Sequence, residues 1–311
     1  MAGARSDSAV LALFPGMGAA TPGMGQPFAG CPAAWRAVDG FSSASKLDIP
    51  PPRPRRRRGR AARRQGLGAC DRRDRGPPLE GYRAGGGVVS GGLGFSIGAY
   101  SALYGAGMLT VGQVVTMIDV VFEASLNLPG RYALLAVTGP PIERIGEWCR
   151  PGSVEISAVL EPGQTIVAGR ESAVEQLAER IAPSALRVSP IAVRWPLHGT
   201  LMGPVAAKLE HSRELLGGLR SLRHRVYPGI DGCRITNPSK GWEFLVQQLV
   251  RPQRFDLALS AALADGFGRI VELGPGTTLA RTAGRVSPGA AAVESFPLSR
   301  TGRRRGAVRR C

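Results

Sequence analysis

The sequence predicts an α/β protein, and three observations point to this fold class. Residues 9–14 form an apolar run that Pro15 and Gly16 end, as expected for a buried strand leading into a glycine-rich loop. Residues 94–98 have the glycine spacing of a sharp turn from a strand into a helix. Residues 131–197 alternate between strand-like and helix-like patterns in the order β-α-β-β-α-β.

The turn at residues 94–98 reads Gly-Phe-Ser-Ile-Gly and fits the pattern G-x-S-x-G. This pattern raises one serine hydroxyl above the end of a strand and passes the chain to a helix, here predicted over 97–107. Glycine is needed on both sides because the turn brings backbone segments too close for a Cβ atom. Ser96 is therefore a candidate nucleophile, with an ordinary turn serine as the alternative. The chain holds 43 glycines, so the pattern needs support from other motifs.

Residues 131–197 have the element order of the ferredoxin-like split unit. A Pro162-Gly163 turn separates two of its strands. The predicted strands cover 132–137, 154–160, 165–168 and 186–193, and the predicted helices cover 141–149 and 172–181.

The rest of the patterned sequence is predicted to be mainly helical, with one late strand. A strand over 268–273 is followed by the turn Gly274-Pro275-Gly276. The helix candidates are 111–126, 200–216, 242–250 and 256–264.

The formal net charge of +17 is concentrated in two segments. Residues 53–75 hold eleven Arg and two Asp, and residues 300–311 hold six Arg and no acidic residue. The remainder of the chain is close to neutral, so the charge does not predict a nucleic-acid-binding body.

Residues 42–86 are rich in Arg, Pro and Gly and show no amphipathic period. Three explanations stay open for this segment and for the basic tail, 298–311. It is a poorly ordered surface loop, a basic arm for nucleic acid or an acidic partner, or the result of a reading-frame disturbance in a GC-rich gene. No aromatic residue lies between Phe41 and Tyr82, which disfavours binding of single-stranded nucleic acid.

Several classes of protein are disfavoured by composition. No apolar run approaches the roughly 18 residues of a membrane span, and the first seven residues lack the layout of a secretory signal. We therefore expect a cytoplasmic protein that does not bind membranes. The five cysteines are widely spaced and form no C-x-x-C pair, so we expect neither a disulfide framework nor a zinc site.

Five motifs in a fixed order show a resemblance to a known family. With the β-α-β-β-α-β segment between the serine and the histidine, the chain resembles malonyl-CoA:acyl carrier protein transacylases and the acyltransferase domains of polyketide synthases. The likeness covers roughly residues 9–40 and 87–297. The motifs are Phe14-Pro15-Gly16-Met17-Gly18, residues 94–107, Trp195-Pro196-Leu197-His198, Val246-Gln247-Gln248-Leu249 and Glu272-Leu273-Gly274-Pro275-Gly276.

The resemblance implies a fold and a division into domains. The fold is an α/β-hydrolase-like core with an inserted ferredoxin-like small subdomain. The core would take residues 1–130 and 198–297, with 42–86 poorly ordered, and the subdomain would take residues 131–197.

The resemblance also implies the reaction and its residues. Ser96 would be the nucleophile and His198 the base that removes its proton, because a serine hydroxyl is a poor nucleophile without an adjacent base. A backbone carbonyl, at Gln248, would orient the histidine. The backbone N–H groups of Ile97 and Met17 would stabilise the oxyanion. The acyl group would pass from coenzyme A, a substrate and not a cofactor, to an acyl carrier protein. No metal or cofactor is implied.

The acyl group itself stays open. The family carries an arginine that binds the malonyl carboxylate, and its position falls on Val121 here, so a neutral acyl group is an alternative to malonyl. Two other functions also stay open: a thioesterase-like hydrolase that uses the same two residues, and a catalytically inactive binding protein with a basic arm.

Overall fold

The computed structural model describes residues 6–19, 77–289 and 292–296. The basic tail, 298–311, lies outside the described residues, as does most of the segment 42–86. The described end of that segment contains a helix, α1, Pro77–Ala84.

The chain divides into two compact units. The first takes its described residues from 1–118, 220–226 and 265–311, and the second from 119–219 and 227–264.

One five-stranded sheet is built around the N-terminal strand. Its strands are β1 (Ser6–Phe14), β2 (Gly91–Gly94), β7 (Arg225–Tyr227), β9 (Phe267–Leu273) and β10 (Ala292–Phe296). They lie in the order β10-β9-β1-β2-β7, and β1 pairs in parallel with both β2 and β9. Val10 to Phe14 are all buried, as expected for a central strand of a parallel sheet. The apolar run predicted as a buried first strand is confirmed.

Helices α2 (Gly98–Gly105) and α9 (Thr278–Val286) follow strands of this sheet. Almost every residue of α2 is buried. Its small side chains allow the helix to lie close to the strands. Helix α3 extends over Val111–Leu126, the range predicted from the sequence.

A second sheet lies in the other unit. Its strands are β3 (Tyr132–Thr138), β4 (Val154–Glu161), β5 (Gln164–Arg170), β6 (Arg187–Ile191) and β8 (Gln253–Arg254), in the order β6-β3-β5-β4-β8. The pairs β3–β5, β3–β6 and β4–β5 are antiparallel, and β8 joins β4 in parallel. Helices α4 (Ile142–Gly146) and α5 (Glu171–Ile181) contribute Ile145, Val174 and Leu177 to a core shared with β3 and β5. The predicted domain boundaries stay a prediction.

The second unit also contains α6 (Gly203–His211), α7 (Pro238–Val250) and α8 (Phe255–Ala264). The N-terminus of helix α7 is capped by Asn237, whose Oδ1 accepts a hydrogen bond from the Lys240 N–H at 2.9 Å. Pro238 lies in the first turn, where its missing N–H is tolerated. This helix holds Gln248.

The prediction of one helix over 200–216 is wrong. Thr200–Met202 and Arg213–Leu216 are 3₁₀ turns, and only α6 between them is an α-helix. Pro204 favours a helix start at this point, because its missing N–H is tolerated only in a first turn. At the other end Ser212 Oγ donates to the Leu209 carbonyl at 2.7 Å and interrupts the regular pattern.

Among the described residues, no helix combines the length and the apolar character needed to cross a membrane.

Candidate active site

Ser96 lies in the short connection between β2, which ends at Gly94, and α2, which begins at Gly98. Its backbone has φ +56°, in the left-handed region that L-residues avoid. The preceding Phe95 N–H donates to the Phe14 carbonyl at 2.9 Å, which holds this turn against the end of β1. These are the features of a strained strand-to-helix turn that presents a serine side chain.

The two glycines of the pattern are required by close backbone contacts. A Cβ atom on Gly94 would collide with the backbone of Gly98 and Ala99. A Cβ atom on Gly98 would collide with the Phe14 carbonyl and lie 2.8 Å from the Pro15 oxygen. The turn that carries Ser96 therefore depends on both glycines.

The loop that contains Met17 lies beside the Ser96 turn. Phe14 is paired with Gly94 in the parallel register, so the chain segments that follow β1 and β2 leave the sheet at the same edge. Met17 is buried and begins a 3₁₀ turn, Met17–Ala19. Ligands of open α/β sheets commonly bind at this carboxyl edge.

Ile97 occupies the position immediately before α2. No backbone carbonyl of residues 6–19, 77–289 or 292–296 accepts a hydrogen bond from its N–H. A donor at the N-terminus of a helix suits an oxygen that carries negative charge.

His198 is buried and is oriented from one side by α7. Its Nδ1 lies 2.6 Å from the backbone carbonyl oxygen of Gln248, which itself is buried. Because a carbonyl can only accept, Nδ1 carries the proton and donates it, and Nε2 is left with its lone pair. This is the tautomer that a general base requires.

Burial lowers the pKa of His198 from 6.5 to about 4, and the bond to the Gln248 carbonyl opposes this only in part. The imidazole is consequently neutral at physiological pH and able to accept a proton. His198 also has a left-handed backbone, with φ +62°. In the part of the chain that the structure describes, Ser96 and His198 are the only non-glycine residues with positive φ.

A buried glutamine that the sequence analysis did not identify lies beside His198. Gln253 is fully buried in β8, and its Nε2 is 3.5 Å from His198 Nδ1. A single glutamine in a two-residue strand has no sequence pattern that would have pointed to it. The other two histidines have different surroundings: His211 is exposed, and His224 is half-buried next to Arg225.

Val121 lies on α3 and is partly buried. The next residue, Phe122, packs edge-to-face against Trp195, with ring centroids 5.4 Å apart. Trp195 precedes His198 by three residues, so one ring of this aromatic pair lies close in the chain to the candidate base.

No group of three or more His, Cys, Asp and Glu side chains is placed to hold a metal ion within the described ranges.

Comparisons with known proteins agree on one family, although no family model matches the chain. Over 195 residues it is 28% identical to the malonyl CoA-acyl carrier protein transacylase of Bacillus subtilis, covering 60% of this chain and 61% of that protein. Over 194 residues it is 31% identical to the transacylase of the same name from Haemophilus influenzae, covering 60% and 62%. The chain matches about three-fifths of the length of these two relatives. Polyketide synthases of Streptomyces are further relatives.

Solved structures of such proteins share the fold over almost the whole chain. The acyl-carrier-protein S-malonyltransferase of Burkholderia pseudomallei has a TM-score of 0.82 at 24% identity, covering 93% of this chain and 96% of that one. The acyl carrier protein S-malonyltransferase of Vibrio cholerae has a TM-score of 0.81 at 22% identity, covering 93% and 97%. The resemblance inferred from the motifs and the α/β fold class are confirmed: the chain is a relative of the malonyl CoA-acyl carrier protein transacylases and has their fold.

Proposed function

We propose that this chain is an acyltransferase that moves a malonyl or related acyl group from coenzyme A to an acyl carrier protein through an ester on Ser96. The observation that carries the proposal is that Ser96 and His198 each have a left-handed backbone conformation. Backbone strain of this kind concentrates at functional sites. The type of reaction, transfer of an acyl group from coenzyme A to an acyl carrier protein, is inferred from the names of the relatives.

In the first half-reaction, His198 Nε2 accepts the proton of Ser96 Oγ as this oxygen attacks the thioester carbonyl carbon. The tetrahedral intermediate then collapses, the C–S bond breaks, and the sulfur of coenzyme A leaves with the proton held by His198. A neutral imidazole at physiological pH suits the first step. The Gln248 carbonyl, which accepts a hydrogen bond from the Nδ1–H of His198, favours the imidazolium that forms transiently.

The oxyanion of the tetrahedral intermediate would accept hydrogen bonds from the N–H groups of Ile97 and Met17. Ile97 lies at the start of α2 and Met17 in the loop at the same edge of the sheet. Preorganised donors aimed at the developing charge are commonly the largest single contribution to such catalysis.

In the second half-reaction, the thiol of the carrier's phosphopantetheine arm gives its proton to His198 and attacks the Ser96 ester. The C–O bond to Ser96 Oγ then breaks, this oxygen takes back the proton held by His198, and the acyl group leaves as a thioester on the carrier. These steps use only side chains and backbone groups of the enzyme, with coenzyme A as a substrate. Type II polyketide synthase carrier protein is bound to its malonyl-transacylase in one of the related structures, which supports a carrier as partner here. We expect no nucleic acid or membrane partner, and a cytoplasmic location.

The identity of the acyl group follows from how a carboxylate could be held. Malonyl is the group named for the relatives. A planar guanidinium binds a carboxylate with two parallel hydrogen bonds, and Val121 cannot do so. Neutral acyl groups are therefore included in the proposal, and a comparison of malonyl-CoA with acetyl-CoA separates the two cases.

We also propose that residues 131–197 form an inserted ferredoxin-like subdomain, with residues 1–130 and 198–297 as the core. The antiparallel strand order β6-β3-β5-β4, with α4 and α5 between the strands, supports this topology.

The decisive experiment is intact-protein mass spectrometry after mixing with malonyl-CoA or acetyl-CoA. We expect a mass increase of one acyl group that disappears in Ser96→Ala and moves to added carrier protein in the wild type. Release of free acid without carrier acylation would instead favour the thioesterase-like hydrolase. No acyl-enzyme with either donor, together with salt-dependent binding of nucleic acid, would favour the inactive binding protein.

A further inference from the structure

We propose that Glu155 is a positioning residue for His198, acting through the loop residue Thr200. The inference rests on the proposed role of His198 as the general base. Glu155 lies on β4, 43 positions before His198 in the chain.

The Glu155 carboxylate accepts hydrogen bonds from Thr200, in the loop that follows His198, and from Gly152, in the turn before β4. The Thr200 N–H lies 3.1 Å from Glu155 Oε2, and the Thr200 hydroxyl donates to Oε1. The Gly152 N–H donates to the same Oε1 at 2.9 Å and lies 3.2 Å from the Thr200 hydroxyl oxygen. Hydrogen bonds to an ionised acceptor are stronger than neutral ones, so this carboxylate is a firm anchor for Thr200.

His198 needs such an anchor because its backbone conformation is unfavourable. A left-handed non-glycine residue is strained, and this conformation persists only where the surrounding structure holds it in place. The ring is held on one side by the Gln248 carbonyl. Between His198 and Thr200 there is only Gly199, the most flexible residue type, so the backbone would relax without a second fixed point.

Gly199 also packs against the anchor itself. A Cβ atom at this position would lie 3.5 Å from the carboxyl carbon of Glu155. The carboxylate therefore lies directly beside the peptide that follows His198, and a shift of Glu155 would be transmitted to the histidine.

The alternative is that Glu155 only stabilises the 3₁₀ turn Thr200–Met202, since acidic groups favour helix starts. The two roles predict different results for the histidine ring. A purely local role would leave the ionisation and the Nδ1 hydrogen bond of His198 unchanged. A positioning role requires both to change when the anchor is removed.

The experiment uses the full chain in three forms: wild type, Glu155→Ala, and Glu147→Ala as the matched control. Glu147 is another carboxylate of the same unit, in a surface ion pair with Arg144 at 2.6 Å. Single-turnover acylation of Ser96 by malonyl-CoA and by acetyl-CoA is followed by rapid quench between pH 5 and 8. In parallel, NMR titration follows the three histidine side chains.

We expect Glu155→Ala to slow the maximal acylation rate at least tenfold, with little change in the donor concentration for half-maximal rate. We also expect the His198 pKa to rise from about 4 toward 6.5 as the ring reaches water. Acylation by this variant should then fall as the pH drops below 6.5, while Glu147→Ala behaves as wild type. The neighbouring Cys149 has a pKa of about 11, raised mainly by burial, and does not titrate in this range.

Glu155→Gln keeps one acceptor oxygen, so we expect it to acylate faster than Glu155→Ala. Thr200→Val removes only the hydroxyl donor, so we expect it to acylate more slowly than the wild type. These two variants carry the test if Glu155→Ala does not fold. Wild-type acylation by a folded Glu155 variant would overturn the inference, and so would slowed acylation with an unchanged His198 titration. A wild-type protein that forms no acyl-enzyme contradicts the proposed function instead, and the NMR titration still decides whether Glu155 positions the ring.

Discussion

Because Ser96 has a left-handed backbone, we expect glycine to be more stabilising than alanine at this position. At φ +56° an L-residue pays about 1–2 kcal/mol that glycine does not. Glycine in turn loses about 0.5–1 kcal/mol more conformational entropy on folding. Ser96→Gly should therefore be more stable than Ser96→Ala by about 1 kcal/mol, although alanine is the more stabilising residue at most positions.

Ser101 provides the matched control five residues further along. It lies inside α2 and is 3% exposed, and within the described residues its hydroxyl has no hydrogen-bond partner, so its removal breaks no bond. In a helix interior glycine costs about 1 kcal/mol relative to alanine. Ser101→Gly should accordingly be less stable than Ser101→Ala, the opposite sign to the pair at Ser96.

Differential scanning fluorimetry of the four variants at pH 7.5 measures both differences. About 1 kcal/mol corresponds to roughly 2 °C in Tm for a chain of this size, so the two pairs should differ by about 4 °C in total. Neither Ser96 variant should form an acyl-enzyme. If glycine is the less stable residue at both positions, Ser96 does not have the left-handed conformation and the argument from backbone strain fails.

Three further predictions concern the same elements. Gly98→Ala would press a methyl group on the Phe14 carbonyl and should cost about 1–3 kcal/mol, read as a lower Tm together with loss of acylation. Burial lowers the pKa of His198 to about 4 in the folded protein, against 6.5 in the unfolded chain. The folded state therefore has its full free energy of unfolding above pH 6.5, and part of it is lost as the pH falls from 6.5 to 4. Denaturation at pH 7.5 and pH 4.5 should show a loss of about 2–3 kcal/mol that His198→Gln lacks. Val121→Arg should raise the ratio of malonyl to acetyl transfer at least tenfold, and an unchanged ratio would show that this position does not contact the acyl group.

Elements with a strong local signal were predictable from the sequence. The helix at Val111–Leu126 has its predicted bounds because sixteen residues with regular apolar spacing leave few alternatives. The strands β7 and β10 were not predicted. Each is five residues or fewer and lies at an edge of the sheet, where pairing with an existing strand decides the conformation.

The sequence by itself determined the turn that carries Ser96, because the steric exclusion at Gly94 acts against Gly98 and Ala99, which are close to it in the chain. The requirement for glycine at position 98 is tertiary, since a Cβ atom there would collide with Phe14 of the neighbouring strand β1. The state of His198 was decided only by tertiary structure. Its proton position comes from a carbonyl fifty residues away, and its low pKa comes from burial, which no local pattern encodes. Short-range sterics can be inferred from residue spacing, whereas desolvation and long-range hydrogen bonds exist only once the chain has folded.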